Sequence, residues 1–200
     1  MKKLLLVCLF SVFTINANAG FMVEPYLGYK LGLSAETTSG TTVSTFKQSS
    51  VMYGGRAGFS NMGFSLGVDY SLASFTTDVE NKTPITTTTS TYDTTQNQLG
   101  VFVGFQLPIL AKVWGTYFLS ANQSISNLSG APGVSYDLTG SGYGLGVGLT
   151  MFPFISINAE FRSLTYDTIE NAKGGATNGA LSPEFKASEL FVSVSVPFSF

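Results

Sequence analysis

The residue types that most often carry catalysis are scarce in this chain. It contains no histidine and a single cysteine, Cys8, inside an apolar N-terminal run. A His-dependent triad, a histidine metal cluster and the commonest general base are thereby excluded. Thiol chemistry and zinc sites are excluded with the cysteine, which leaves with a leader described below. The glycines of GYGLGVGLT fall on a strand period and open no helix, so they form no phosphate-binding loop. What remains for chemistry is a set of charges in otherwise apolar segments: Glu24, Lys30, Arg56, Asp69, Glu160, Arg162 and Glu189. No catalytic, metal or cofactor-binding constellation is expected among them. Their meaning depends on the elements that hold them.

The first residues are set aside. Lys2 and Lys3 begin the chain, Leu4 to Ile15 form an apolar core, and Ala17-Asn18-Ala19 makes a small-x-small site. That order is a secretory signal peptide, and the apolar run is too short for a membrane helix. Cleavage is expected after Ala19, giving a leader over 1–19 and one domain over 20–200. Val7 precedes Cys8 and no cleavage site adjoins it, so lipidation is rejected. An exported chain without disulfides must be held by a large core or by lipid.

Composition leans towards lipid. Charged residues make up 11% of the chain, against about 25% in soluble domains. Aromatics reach 14% and mean hydropathy is only +0.26. No apolar run after the leader approaches the ~20 residues of a membrane helix. Loss of Lys2 and Lys3 takes the net charge from −2 to −4, and no basic cluster survives, so nucleic acid is not an expected partner.

Period-two alternation supplies the missing order. Val23, Pro25, Leu27, Tyr29 and Leu31 oppose Glu24, Tyr26, Gly28 and Lys30. Val51, Tyr53, Ala57 and Phe59 oppose Gly54, Arg56 and Gly58. The same holds for Phe64 to Leu72 around Asp69, and for Leu99 to Phe105 around Gly100 and Gly104. Tyr143 to Met151 alternates with Gly142, Gly144, Gly146 and Gly148, and Ile155 to Phe161 with Asn158, Glu160 and Arg162. The last strand places Leu190, Val192, Val194, Val196, Phe198 and Phe200 on one face. Only the fifth, near Val113 to Ala121, is contradictory, since Trp114 and Phe118 share a face against Tyr117 and Leu119.

The connections alternate in length. Short links lie at 60–62, 107–110 and 152–153, and long polar ones at 34–48, 75–93, 122–139 and 167–187. Tight turns at one end and long loops at the other are a mark of membrane barrels. The Thr-rich tract at 86–91 is either an extension of strands past the membrane or a disordered loop.

The face opposite the apolar stripe carries glycines as well as polar groups. Glycine weakens a water-facing strand but makes room in a narrow lumen, where Tyr26, Phe102 and Phe191 fill the space left. Phe21, Phe59, Phe64, Phe105, Phe154, Phe198 and Phe200 fall at the short-turn end. Tyr29, Tyr53, Tyr70, Tyr117 and Tyr143 fall towards the long loops, as two interfacial belts require. The fold class is therefore all-β: a closed antiparallel transmembrane β-barrel of about eight strands, with short periplasmic turns and long extracellular loops. Pro25 and Pro197 meet near the bottom of the closing seam, where a bulge or weakened pairing is expected. The seven charges named above then share the lumen and must pair, with Glu160 and Arg162 as natural partners.

The alternating C-terminal segment, EPYLGYKLG near the start and GFSLGVDYSL in the third strand resemble the small outer-membrane barrels of Gram-negative bacteria, of the OmpA, OmpX and OmpW kind. The resemblance implies a place in the outer membrane, with outer-membrane lipid, the assembly machinery and periplasmic chaperones as partners. It also implies that Val194, Val196, Phe198 and Phe200 form the signal which that machinery reads. The expected function is structural or surface-interacting through the long loops, towards an unidentified cell-surface ligand, with the lumen plugged. The alternative is a narrow conduit for small solutes or apolar molecules. An enzyme is not expected, because the barrel enzymes that the resemblance brings in rely on histidine. A general diffusion porin is excluded by strand number.

Overall fold

The computed structural model describes residues 20–33, 35–39, 42–47, 49–82, 87–107, 110–126, 133–152 and 154–200. The leader expected over 1–19 lies outside them. Every regular element among the described residues is a strand. These are β1 (Gly20–Leu33), β2 (Ala35–Ser39), β3 (Thr42–Lys47), β4 (Ser49–Asn61), β5 (Phe64–Lys82) and β6 (Thr87–Gln106). They are followed by β7 (Ala111–Ser126), β8 (Ser135–Phe152), β9 (Ile155–Lys173), β10 (Gly179–Ser195) and β11 (Phe198–Ser199).

Successive strands pair antiparallel, and β1 bonds to β4 on one side and to β10 and β11 on the other. The sheet therefore closes on itself. In chain order β2 follows β1, β3 precedes β4 and β11 follows β10, so the wall has eight strands. Closure satisfies the backbone donors and acceptors that an open edge would expose to lipid.

The short turns match their residues. Asn61 pairs with Phe64 across a two-residue loop in which Met62 and Gly63 both take positive φ, 50° and 85°. That is the twist a tight hairpin needs, and Gly63 adopts it without strain.

The segments expected as long loops are largely strand. β5 and β6 stay paired from Phe64↔Phe105 to Lys82↔Thr87, and they are 19 and 20 residues long. About 9–11 residues suffice to cross a bilayer, so the wall continues well beyond it. The Thr-rich tract from Thr87 lies in β6, which settles it as extended strand; Thr86 is outside the described residues. β-propensity in a hairpin with a ready partner outweighs polarity here.

The contradiction in the fifth strand is one of composition, since up to Leu119 it alternates strictly with bulky residues on both faces, and a bulge follows. Phe118 pairs with Gly142 but Ala121 with Gly140, so one extra residue is inserted near Leu119. Below it Trp114, Thr116 and Phe118 point inward, and above it Ala121 and Gln123 do, while Tyr117 and Leu119 face out. A bulge resets the period-two parity, which a strict alternation cannot register.

At the seam the ladder is weakened but keeps its register. Tyr26↔Ser195 and Val23↔Phe198 belong to one alignment, with Val196 and Pro197 outside the strands between them. Pro25 lacks a donor, yet its carbonyl accepts from the Val196 N–H at 3.0 Å.

The inner glycines do more than leave room for side chains. Gly58 and Gly67 face each other across β4 and β5. A Cβ on Gly58 would lie 2.1 Å from the Leu66 carbonyl oxygen, and one on Gly67 2.1 Å from that of Ala57. The wall of so small a barrel curves until neighbouring backbones touch. Gly146 instead seats the indole of Trp114, whose ring would lie 2.1 Å from an added Cβ. On the outer face Gly115 is different, because the nearest atom to its Cβ would be 3.6 Å away. Gly58→Ala is therefore expected to lower stability by about 1–3 kcal/mol, and Gly115→Ala by no more than about 0.5 kcal/mol. Urea-unfolding midpoints of the refolded protein, read from its heat-sensitive electrophoretic mobility, check the contrast.

Candidate functional site

Arg56 organises the interior. It lies directly across from Glu24 on β1 and from Asp69 on β5. Its Nε donates to Asp69 Oδ2 at 2.8 Å and its Nη2 to Glu160 Oε2 at 2.6 Å. Glu160 also accepts from Arg162 Nε at 2.8 Å and from the Trp114 indole at 2.9 Å. Tyr26 donates to the second Asp69 oxygen at 2.7 Å. The guanidinium of Arg56 lies 4.2 Å from the Trp114 ring, and that of Arg162 lies 5.0 Å from both Phe118 and Phe191. These aromatic faces supply negative potential where water is excluded.

Two further groups stack on this layer. Towards the short turns Glu24 accepts from Lys112 and Ser195, with Arg56 Nη1 at 4.0 Å. Beneath them a cavity of about 370 Å³ opens, lined in part by Ser60, Ser65, Lys112 and Ser156. Towards the long hairpins Lys30 donates to Glu189 at 3.1 Å and to Gln96 at 2.5 Å. Gln96 and Gln98 donate in turn to the two Glu189 oxygens, at 2.9 and 3.3 Å. Arg162 Nη1 ties the layers together, donating to Gln98 Oε1 at 2.5 Å and Ser71 Oγ at 3.1 Å. Phe118, Ala121, Leu138, Leu164 and Tyr166 then cover the network with a buried apolar cluster.

All seven charges assigned to the lumen from alternation lie in it. Lys30, Asp69 and Arg162 are wholly buried, and Glu24, Arg56, Glu160 and Glu189 expose no more than 4%. Their sum is four carboxylates against three cations. The eighth member is Lys112, which lies just before the stretch read as the fifth strand and shares the inward parity of Trp114, Thr116 and Phe118. With Lys112 the interior balances, four against four. Pairing on this scale is what a desolvated lumen requires, since an isolated ion there costs several kcal/mol. Gln96 and Trp114, which complete the coordination, were also unassigned; the repeated inward parity of Gln96 and Gln98 was the available signal. Val194, Phe198 and Phe200 project outward at the end of the last wall strand, and Val196 lies at the interrupted seam.

The carboxylates of the arrangement are saturated, while Arg162 Nη2 is buried without a hydrogen-bond partner. Each carboxylate in it accepts from at least two side chains. Among the described residues no group of three or more metal-ligating side chains occurs. Removing one cation leaves the buried interior with an uncompensated negative charge. Arg162→Met is expected to destabilise the folded barrel by about 3–5 kcal/mol. Arg162→Lys recovers only part of it, because an ammonium cannot present the planar fork that reaches Glu160 and Gln98 together. Urea titrations in lipid vesicles measure both; an unchanged midpoint for the methionine variant contradicts the interlock.

Comparisons with known proteins agree with this architecture. OprG of Pseudomonas aeruginosa superimposes with a TM-score of 0.56 at 12% identity, over 90% of this chain and 96% of that one. Ail, the attachment invasion locus protein of Yersinia pestis, gives 0.55 at 11% identity in complex with the heparin analogue sucrose octasulfate, over 90% and 99%. Such identities show the fold alone. No curated protein matches the chain. The model of the outer membrane protein β-barrel domain matches residues 4–198. A closed eight-stranded wall, an apolar outer band and a filled lumen are thus joined to a match along nearly the whole sequence, and the chain belongs to the outer membrane protein β-barrel domain family, whose place is the bacterial outer membrane.

Proposed function

We propose that this protein is a plugged barrel that presents its strand extensions at the cell surface as an interaction surface. The observation that carries this reading is the partition of charge. After residue 19 the chain has 12 acidic residues, and 10 basic ones less Lys2 and Lys3. The lumen takes four of each sign, and no charged residue occurs at the outward positions of the membrane band. The remainder lies in the extensions, at Glu36, Asp78, Glu80, Asp93, Asp137, Asp167, Glu170 and Glu184 against Lys47, Lys82, Lys173 and Lys186. The entire net charge of −4 is therefore carried by the extensions.

That sign sets the chemistry of the surface ligand. The Ail complex holds a polyanion, but an acidic surface repels one and attracts cationic partners. Inside, a balanced network lies beneath an apolar cluster, the packing expected of a plugged lumen. The outward stripe of Val194, Phe198 and Phe200 serves the assembly machinery and periplasmic chaperones as an entry signal.

A narrow conduit is the second reading, favoured by the cavity at the short-turn end, which opens the lower lumen to the periplasm. The two are separated by reconstituting the protein into planar bilayers and into vesicles. The plugged barrel is expected to be electrically silent, and reproducible single-channel steps would replace it with the conduit. On vesicles, polylysine is expected to bind in a salt-sensitive manner and heparin not to bind. Combined Asp93→Asn, Asp137→Asn and Glu170→Gln should weaken the polylysine interaction while the heat-sensitive mobility persists. Heparin binding to the wild type would overturn the assigned sign of the ligand.

A further inference from the structure

The outer wall is not evenly covered. Around most of the band, outward leucines, valines and phenylalanines stand side by side, but glycines break two rows, Gly55 between Pro25 and Tyr70 and Gly115 on β7, and the second break opens on a recess. Val103 pairs with Gly115, Gly115 with Leu145, and Leu145 with Phe161, so the second position of that row has no side chain. In the adjacent row Val147 faces Ala159, a second small residue. The result is a recess of about 620 Å³ in the wall formed by β6 to β9. Its flanks stand proud: Val103 is 57% and Leu145 64% exposed.

We propose that this recess seats one acyl chain of a phospholipid from the periplasmic leaflet. Its volume lies within the roughly 300–1,000 Å³ range of sites for small ligands. Its outward lining is entirely aliphatic or aromatic, so it offers nothing to a headgroup and everything to a hydrocarbon chain. It is continuous with the band that contacts the bilayer, and its lower rim is Phe64 and Phe105, in the belt at the short turns. The chain that reaches it first therefore belongs to the leaflet on that side. Filling the slot removes apolar surface that neighbouring lipids would otherwise have to bend around. A second copy of the barrel is the competing occupant, but the slot is one missing side chain deep, and an interface between copies needs a broad matched surface.

The protein carries its own probe. Trp114 is the only tryptophan, and it lines the wall of the recess from within. In phosphatidylcholine vesicles whose acyl chains carry bromine, a seated chain brings the quencher close to this indole. Gly115→Leu places a side chain in the middle of the recess, at a position where an added Cβ makes only ordinary contact with Leu145. The expected result is a loss of quenching in Gly115→Leu and in Ala159→Leu relative to the wild type. Ala57→Leu, on the outer face of β4 away from the recess, should quench as the wild type does. Native mass spectrometry should find one phospholipid retained by the wild type and lost from Gly115→Leu. Equal quenching in all four proteins would overturn the proposal. So would a dimer in the wild type that Gly115→Leu abolishes, which would assign the recess to a second copy.

Discussion

A barrel of eight strands encloses a space only as wide as the side chains that fill it. Whatever points inward is taken out of water, and among the described residues eight charges point inward. The constraint that follows is neutrality at short range: every carboxylate must find a cation within a few ångströms. Arg56 meets it for three carboxylates at once. It is opposite Glu24 and Asp69 through the strand register, and it reaches Glu160 across the lumen. Arg162 and Lys30 extend the same solution upward, and Lys112 completes it downward. The inner glycines and the seat of Trp114 leave the space in which these groups come within reach.

Much of this was legible in the sequence, because a strand has only two faces and one of them faced lipid. An apolar stripe on each strand assigned its partners to the lumen, and seven interior charges followed from that alone. What escaped has definite physical causes. In the fifth strand bulky apolar residues occupy both faces, because aromatics fill the lumen as well as the lipid side, so Trp114 and Phe118 read as contradictory and Lys112 beside them went unassigned. Polar Thr-rich segments resemble loops by composition, yet in a hairpin each strand offers the other a full ladder, so the wall continues past the bilayer. The inner glycines suggested space for side chains, whereas at Gly58 and Gly67 the space is needed by the neighbouring backbone. That depends on the curvature of the closed wall, a global quantity no local pattern carries.

The same economy separates the molecule into three electrostatic zones. The interior is charged but balanced, the outer band is uncharged, and the extensions hold the surplus of acid. Each zone answers to a different surrounding: packed protein, hydrocarbon and water. A barrel so divided can change its surface chemistry through the hairpins without disturbing the plug. It can also adjust its lipid contacts, as at Gly115, without touching either.

The interlock of the plug is tested most directly by a double-mutant cycle on Arg56 and Asp69, comparing Arg56→Met, Asp69→Asn and the pair by urea unfolding in vesicles. Coupling in the upper part of the roughly 0.5–3 kcal/mol range seen within one network is expected, because each partner is buried and each single change strands the other. Effects that add to within about 0.5 kcal/mol would contradict it, and would mean that the barrel is held by its wall alone.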